Sequence, residues 1–126
     1  MLVDTNLIVY AVRPAYAPLR SWLIQQQPAY YSVISRVESL GFHRLIGAEH
    51  QAIQIVLDCL KIIYPTTITF EKAIQLRQQR RLSLGDSLIA ATAMEHRLVL
   101  ATANVEDFKW IHGLTILSPL TLWQSS

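Results

Sequence analysis

Met1-Leu2-Val3-Asp4-Thr5-Asn6 opens the chain with three apolar residues and stops them on an acid. A short, unbroken apolar run of this kind reads as a strand buried on both faces, the pattern of a parallel sheet. Working outward from it, four similar runs follow. They are Ala29-Tyr30-Tyr31-Ser32-Val33, Lys61-Ile62-Ile63-Tyr64 (stopped by Pro65), Leu98-Val99-Leu100-Ala101 and Leu114-Thr115-Ile116-Leu117. Between them the spacing predicts helices. One runs from Ala17 to Gln26, with Pro18 in its first turn, and Gln25-Gln26-Gln27-Pro28 reads as its frayed end and a turn. Another runs from Ser35 to Ile46, ended by Gly47, and a third from Ala48 to Leu60, with Ile53, Val56, Leu57 and Leu60 at helical spacing. Phe70 to Arg80 forms a helix capped by Thr69, and an alanine-rich helix runs from Gly85 to His96. Asn104 to Trp110 is a short helical turn. Strands alternating with helices predict an α/β fold, a parallel sheet covered by helices on both faces.

Composition agrees. Of 126 residues, 52% are hydrophobic and 16% charged, which excludes a disordered chain and supplies enough apolar surface for a core within one domain, residues 1–126. The longest uncharged stretch, Trp110 to Ser126, carries His112, Gly113, Ser118 and Pro119, so no membrane span is expected, and no secretion signal is expected either. A lone cysteine, Cys59, excludes an internal disulfide and a cysteine-rich zinc site. The expectation is an inert core residue in a cytoplasmic protein. His43, His50, His96 and His112 show no ligand spacing, and Trp22, Tyr30 and Tyr31 read as core or dimer contacts.

In so apolar a chain the nine acids each need a reason. Asp4 follows the first strand, where it serves equally as a turn or cap residue and as a site residue. Glu38 closes the capping-box pattern Ser35-Arg36-Val37-Glu38, yet shares a helix stripe with Ile34, Phe42 and Leu45, which predicts partial burial. Asp86 opens a helix without charge from Ser87 to Met94, so that helix is buried nearly all round. Asp107 lies one turn beyond Asn104, just past the fourth strand. Each has an ordinary reading as a cap or a surface charge. Together, four acids from separated segments fall at strand carboxyl ends or helix starts, where open α/β sheets gather functional groups. Crowded carboxylates repel unless a cation neutralises them, and an oxygen-only donor set suits Mg²⁺ or Mn²⁺. Such a site activates water and stabilises charge on a phosphoryl oxygen. Glu49, Asp58, Glu71, Glu95 and Glu106 read as helix-surface charges.

At these residues the sequence resembles the PIN-domain ribonucleases, and most of all the VapC-type toxins of toxin–antitoxin pairs. The resemblance spans essentially the whole chain and rests on four stretches. These are Leu2-Val3-Asp4-Thr5-Asn6; Ser35-Arg36-Val37-Glu38; Leu84-Gly85-Asp86-Ser87-Leu88-Ile89-Ala90-Ala91-Thr92-Ala93; and Thr102-Ala103-Asn104-Val105-Glu106-Asp107-Phe108. It implies a three-layer α/β/α sandwich with a five-stranded parallel sheet in order 3-2-1-4-5. It also implies a metal site of Asp4, Glu38 and Asp86, with Asp107 as the fourth acid and Asn104 and Thr5 in support. The implied reaction is endonucleolytic cleavage of RNA by a metal-activated water. The implied assembly is a homodimer, held in check by a small antitoxin that blocks the acidic site with a basic side chain.

Arg13, Arg77, Arg80 and Arg81 flank the acidic motifs and are candidates for holding RNA phosphates, although for Arg77 to Arg81 a solvated helix end is the commoner role. Two other readings compete. A catalytically silent PIN-like interaction module would keep the acids without the activity. A phosphoacceptor receiver domain needs a second acid beside Asp4 and an acid after Tyr64, and neither is present.

Overall fold

The computed structural model describes residues 1–26 and 28–120. The turn read at Gln27 and the end of the uncharged stretch, residues 121–126, lie outside them. The described elements run β1 (Leu2–Val3), α1 (Thr5–Ala11), α2 (Ala17–Gln25), β2 (Tyr30–Ser32), α3 (Val33–Leu40), α4 (Gly47–Asp58), β3 (Lys61–Ile63), α5 (Thr67–Gln79), α6 (Leu84–Glu95), β4 (Leu100–Ala101), α7 (Val105–Phe108) and β5 (Ile116–Leu117). The five strands form an all-parallel sheet in the order β3-β2-β1-β4-β5. Receiver domains use the order 2-1-3-4-5, so that alternative is removed by topology.

Strand alternation sorts the core into two layers. Val3, Tyr31 and Ala101 face one side, against Leu7, Ile8, Leu23, Val56 and Leu57 of α1, α2 and α4. Leu2 and Leu100 face the other, against Leu76, Leu88, Ile89 and Phe108 of α5, α6 and α7. Side chains alternate across each strand, so two-residue strands still feed both layers. The helix α6 is buried at every residue from Ser87 to Ala93, as its lack of charge predicts.

Several boundaries differ from those read in the sequence. The helix α1 is absent from that reading because Leu7-Ile8-Val9-Tyr10 is rich in β-branched and aromatic residues of modest helix propensity. Burial of Leu7, Ile8 and Ala11 on one face overrides that preference. The second strand ends at Ser32, whose hydroxyl caps α3 by accepting the Ile34 N–H at 3.1 Å. The Ser35–Glu38 capping box therefore does not form. That helix stops at Gly41, six residues before the expected Gly47, which instead opens α4. Thr66, not Thr69, caps α5; Thr69 is its partner in a capping box. Ser83 caps α6, which starts at Leu84, one residue before the expected Gly85.

Candidate functional site

The site grows from the carboxyl end of β1. Asp4 is 2% exposed and caps α1, its Oδ1 accepting the Thr5 N–H at 2.8 Å. Its Oδ2 accepts the Thr102 hydroxyl at 2.8 Å, just past β4. Thr102 in turn accepts the Asn104 N–H at 2.9 Å, so one buried hydroxyl ties the β4–α7 loop to the acid. The capping and site roles of Asp4 are thus compatible: a cap uses one oxygen edge, and the carboxylate has further lone pairs.

Glu38 reaches the same place from α3, which packs against both α1 and α6. Thr5 Oγ1 lies 2.7 Å from Glu38 Oε1 and 2.9 Å from Ser35 Oγ. An ionised carboxylate only accepts, so the Thr5 proton goes to Glu38. Contrary to the burial expected from its stripe, Glu38 is exposed, because α3 ends at Leu40 and carries neither Phe42 nor Leu45. Asp86, in the first turn of α6, is half-buried, and its N–H donates to the capping Ser83 hydroxyl at 3.1 Å.

Asp4, Glu38 and Asp86 line one cleft of about 600 Å³, together with Thr5 and Arg13 and an apolar part that includes Val9, Val12 and Leu45; Glu49, read from the sequence as a surface charge, lines it too. The electrostatics record their proximity. Burial raises the Asp4 pKa to about 6, and the charges of Asp86 and Glu38 push the same way against the Thr102 and Thr5 hydrogen bonds. Burial also raises Asp86, with Asp107 and Glu38 adding repulsion against the Ser83 bond. Asp107 is exposed and meets Asp86 in a second, smaller hollow beside the first. Asn104 sits at the N-cap position of α7 but makes no side-chain cap bond.

The candidate cations divide. Arg13 lines the acidic cleft and stacks 4.7 Å over the Tyr10 ring. Arg80 and Arg81 line the second hollow. Arg77 donates from Nε to the Leu82 carbonyl at 3.1 Å, which anchors the α5–α6 connection. Three residues of the site were given no part in it by the sequence: Ser35, read only as a helix cap, Gly85 and Thr102. A polar residue directly after a strand was the available signal for Thr102. Gly85 had none, since its role is to leave space for a side chain distant in sequence.

A hard divalent cation suits this donor set, which offers carboxylate and hydroxyl oxygens and no nitrogen or sulfur. Mutual repulsion among Asp4, Glu38 and Asp86 is the electrostatic condition a cation relieves. As the side chains stand, no three Asp, Glu, His or Cys groups among the described residues enclose such an ion. Glu38 is exposed and its carboxylate accepts one hydrogen bond, from the Thr5 hydroxyl.

Residues 1–112 match the PIN domain family. Among curated proteins, the chain is 33% identical over 122 residues to Ribonuclease VapC10 of Mycobacterium tuberculosis, covering 90% of each. It is 32% identical over 129 residues to Ribonuclease VapC1 of Rickettsia felis, covering 94% of this chain and 95% of that protein. Among solved structures, it superposes with a TM-score of 0.75 and 30% identity on a chain of a toxin–antitoxin complex from Klebsiella pneumoniae, covering 94% of this chain and 96% of that one. With sheet order, clustered carboxylates and these relatives in agreement, the chain belongs to the PIN domain family.

Proposed function

We propose that residues 1–126 act as one domain, a metal-dependent endoribonuclease that serves as the toxin of a toxin–antitoxin pair. The observation that carries this reading is the convergence of Asp4, Glu38 and Asp86 on one cleft at the carboxyl end of a parallel sheet. The named relatives, two ribonucleases and a toxin–antitoxin complex, support it.

Asp4, Glu38 and Asp86 would hold Mg²⁺ or Mn²⁺, with Asp107 as the fourth acid and Asn104 and Thr5 in support. When bound, the cation supplies Lewis acidity: it lowers the pKa of water and offsets negative charge on the phosphoryl oxygens. The chain's own residues do the rest. Thr102 and the Thr5 N–H fix the Asp4 carboxylate in one orientation. The Thr5 hydroxyl restrains the exposed Glu38. Arg13 places a positive charge beside the cleft, where an RNA phosphate approaching its carboxylates needs one.

The same cleft suits an inhibitor. Its acidic end and apolar floor complement a partner segment with a basic side chain beside apolar ones, the antitoxin chemistry proposed here. Large apolar side chains left exposed on α3, α5 and α6, namely Val37, Phe70, Ile74 and Leu84, support a homodimer. Sedimentation equilibrium should give twice the 14.3 kDa chain mass, and a Leu84→Glu, Ile74→Glu double variant should return it to the monomer.

The decisive assay is cleavage of a structured RNA with Mg²⁺ or Mn²⁺. Asp4→Ala and Asp86→Ala should each lose roughly 100-fold or more in rate. Cleavage unchanged in both variants overturns the site.

A further inference from the structure

Asp86 belongs to two hollows. On one side it meets Asp4 and Glu38 in the acidic cleft. On the other it meets Asp107, Arg80, Arg81 and Trp110 around a hollow of about 230 Å³. This second hollow has a built wall. Trp110 is half-buried, and its indole Nε1 donates to the Asp107 carbonyl at 2.9 Å, which holds the ring at a set angle. The Arg80 guanidinium lies over that ring, 5.0 Å from its centroid. Arg80 and Arg81 are exposed, and neither forms an ion pair among the described residues, although Asp86, Glu106 and Asp107 share their hollow. Arg80 is thus held over a flat aromatic face and Arg81 stands beside it without an ion pair, at the mouth of the proposed nuclease site.

Single-stranded nucleic acid is bound by this combination: cations track the phosphates and a flat ring or guanidinium plane takes a base. A strand with one phosphate at Asp4, Glu38 and Asp86 must continue away from the cleft. On the Asp86 side its path crosses this hollow, where acids would repel it unless Arg80 and Arg81 compensate.

We propose that the Arg80–Trp110 stack is a nucleobase subsite, taking the base beside the scissile phosphate on the Asp86–Asp107 side, with Arg81 holding the adjoining phosphate. This rests on the ribonuclease reading above.

The test compares a short fluorescent oligouridylate with an abasic ribose–phosphate oligomer of equal length, both titrated without divalent metal so that neither is cut. Trp110→Leu should weaken the oligouridylate roughly tenfold and leave the abasic oligomer unchanged. Trp110→Phe, which keeps a ring but loses the bond to Asp107, should retain most of the affinity. Arg81→Gln should weaken both oligomers and lower the salt slope by about one. In cleavage assays with metal, the Trp110→Leu loss should fall on KM more than on kcat. Three results overturn the subsite while leaving the nuclease standing: Trp110→Leu binding as the parent does, Trp110→Leu and Trp110→Phe failing alike, or equal losses on the two oligomers. An unsubstituted protein that neither binds nor cuts RNA overturns the nuclease reading and the subsite together.

Discussion

A Cβ built at Gly85 would stand 2.5 Å from Glu38 Oε2 and 3.1 Å from its Cδ. The first turn of α6 is bare at this point so that a carboxylate from α3 can lie against it. The obstructed atoms end a flexible side chain, so a substitution there moves the acid rather than the backbone. Gly85→Ala should therefore lower ribonuclease activity roughly tenfold or more while changing stability by less than about 1 kcal/mol, since alanine also gains helix propensity. Activity assays beside thermal denaturation check this. A variant that unfolds easily, or one with parental activity, contradicts the placement of Glu38. At this scale the sequence singled out Asp4, Glu38 and Asp86, which meet in one cleft, and Thr5 beside them. It gave no place there to Glu49, nor to Gly85, Ser35 and Thr102, which act through partners 47, 30 and 98 positions away, distances that only folding closes.

Between elements, Glu95 near the end of α6 accepts hydrogen bonds from two hydroxyls at the start of α5. Thr66 Oγ1 donates to Oε1 at 2.6 Å, and Thr69 Oγ1 donates to Oε2. These bonds hold the carboxyl below its usual range, with His96 adding to them. The sequence presents Glu95 as a surface charge. The structure makes it the clasp between two antiparallel neighbours, far from the acidic cleft. Glu95→Ala should cost about 1–2 kcal/mol in urea denaturation without altering cleavage at saturating substrate. A stability equal to the parent's would show that the capping box of α5 suffices alone. Apolar runs and caps located most of the elements. Boundaries slipped where a side chain chose between partners: Ser32 over Ser35 as a cap, Thr66 over Thr69. Local patterns list the competent residues, and tertiary packing selects among them.

For the molecule as a whole, the cost of the site should appear in its pH dependence. The Asp4 carboxyl has a pKa of about 6 in the fold against 3.8 as its ordinary value, so between those pH values the folded state binds the extra proton. Stability should therefore be greatest toward pH 4 and fall as pH rises through 6, by on the order of 3 kcal/mol from this group alone. Asp86 shifts in the same direction. In the metal-free protein, Asp4→Asn should flatten that decline in thermal melts. Mn²⁺ should raise the melting temperature of the parent more at pH 7 than at pH 5, since a cation binds the ionised form. Melts that stay level from pH 4 to 7 would contradict the burial of an ionised Asp4.

By itself, the sequence determined the class of fold and singled out three acids that the structure brings to one cleft. Continuous apolar runs separated by helical spacing admit few solutions other than a covered parallel sheet, and acids at strand ends have nowhere to point but its carboxyl edge. Only the tertiary structure decided which acids share a cleft, which side chains hold them, and that a tryptophan and an arginine stand together beyond Asp86. Those outcomes depend on how α1, α3 and α6 pack against one another and on how the ends of α5 and α7 meet, and close approach between helices is set by side chains from separate segments that no single stretch of sequence contains.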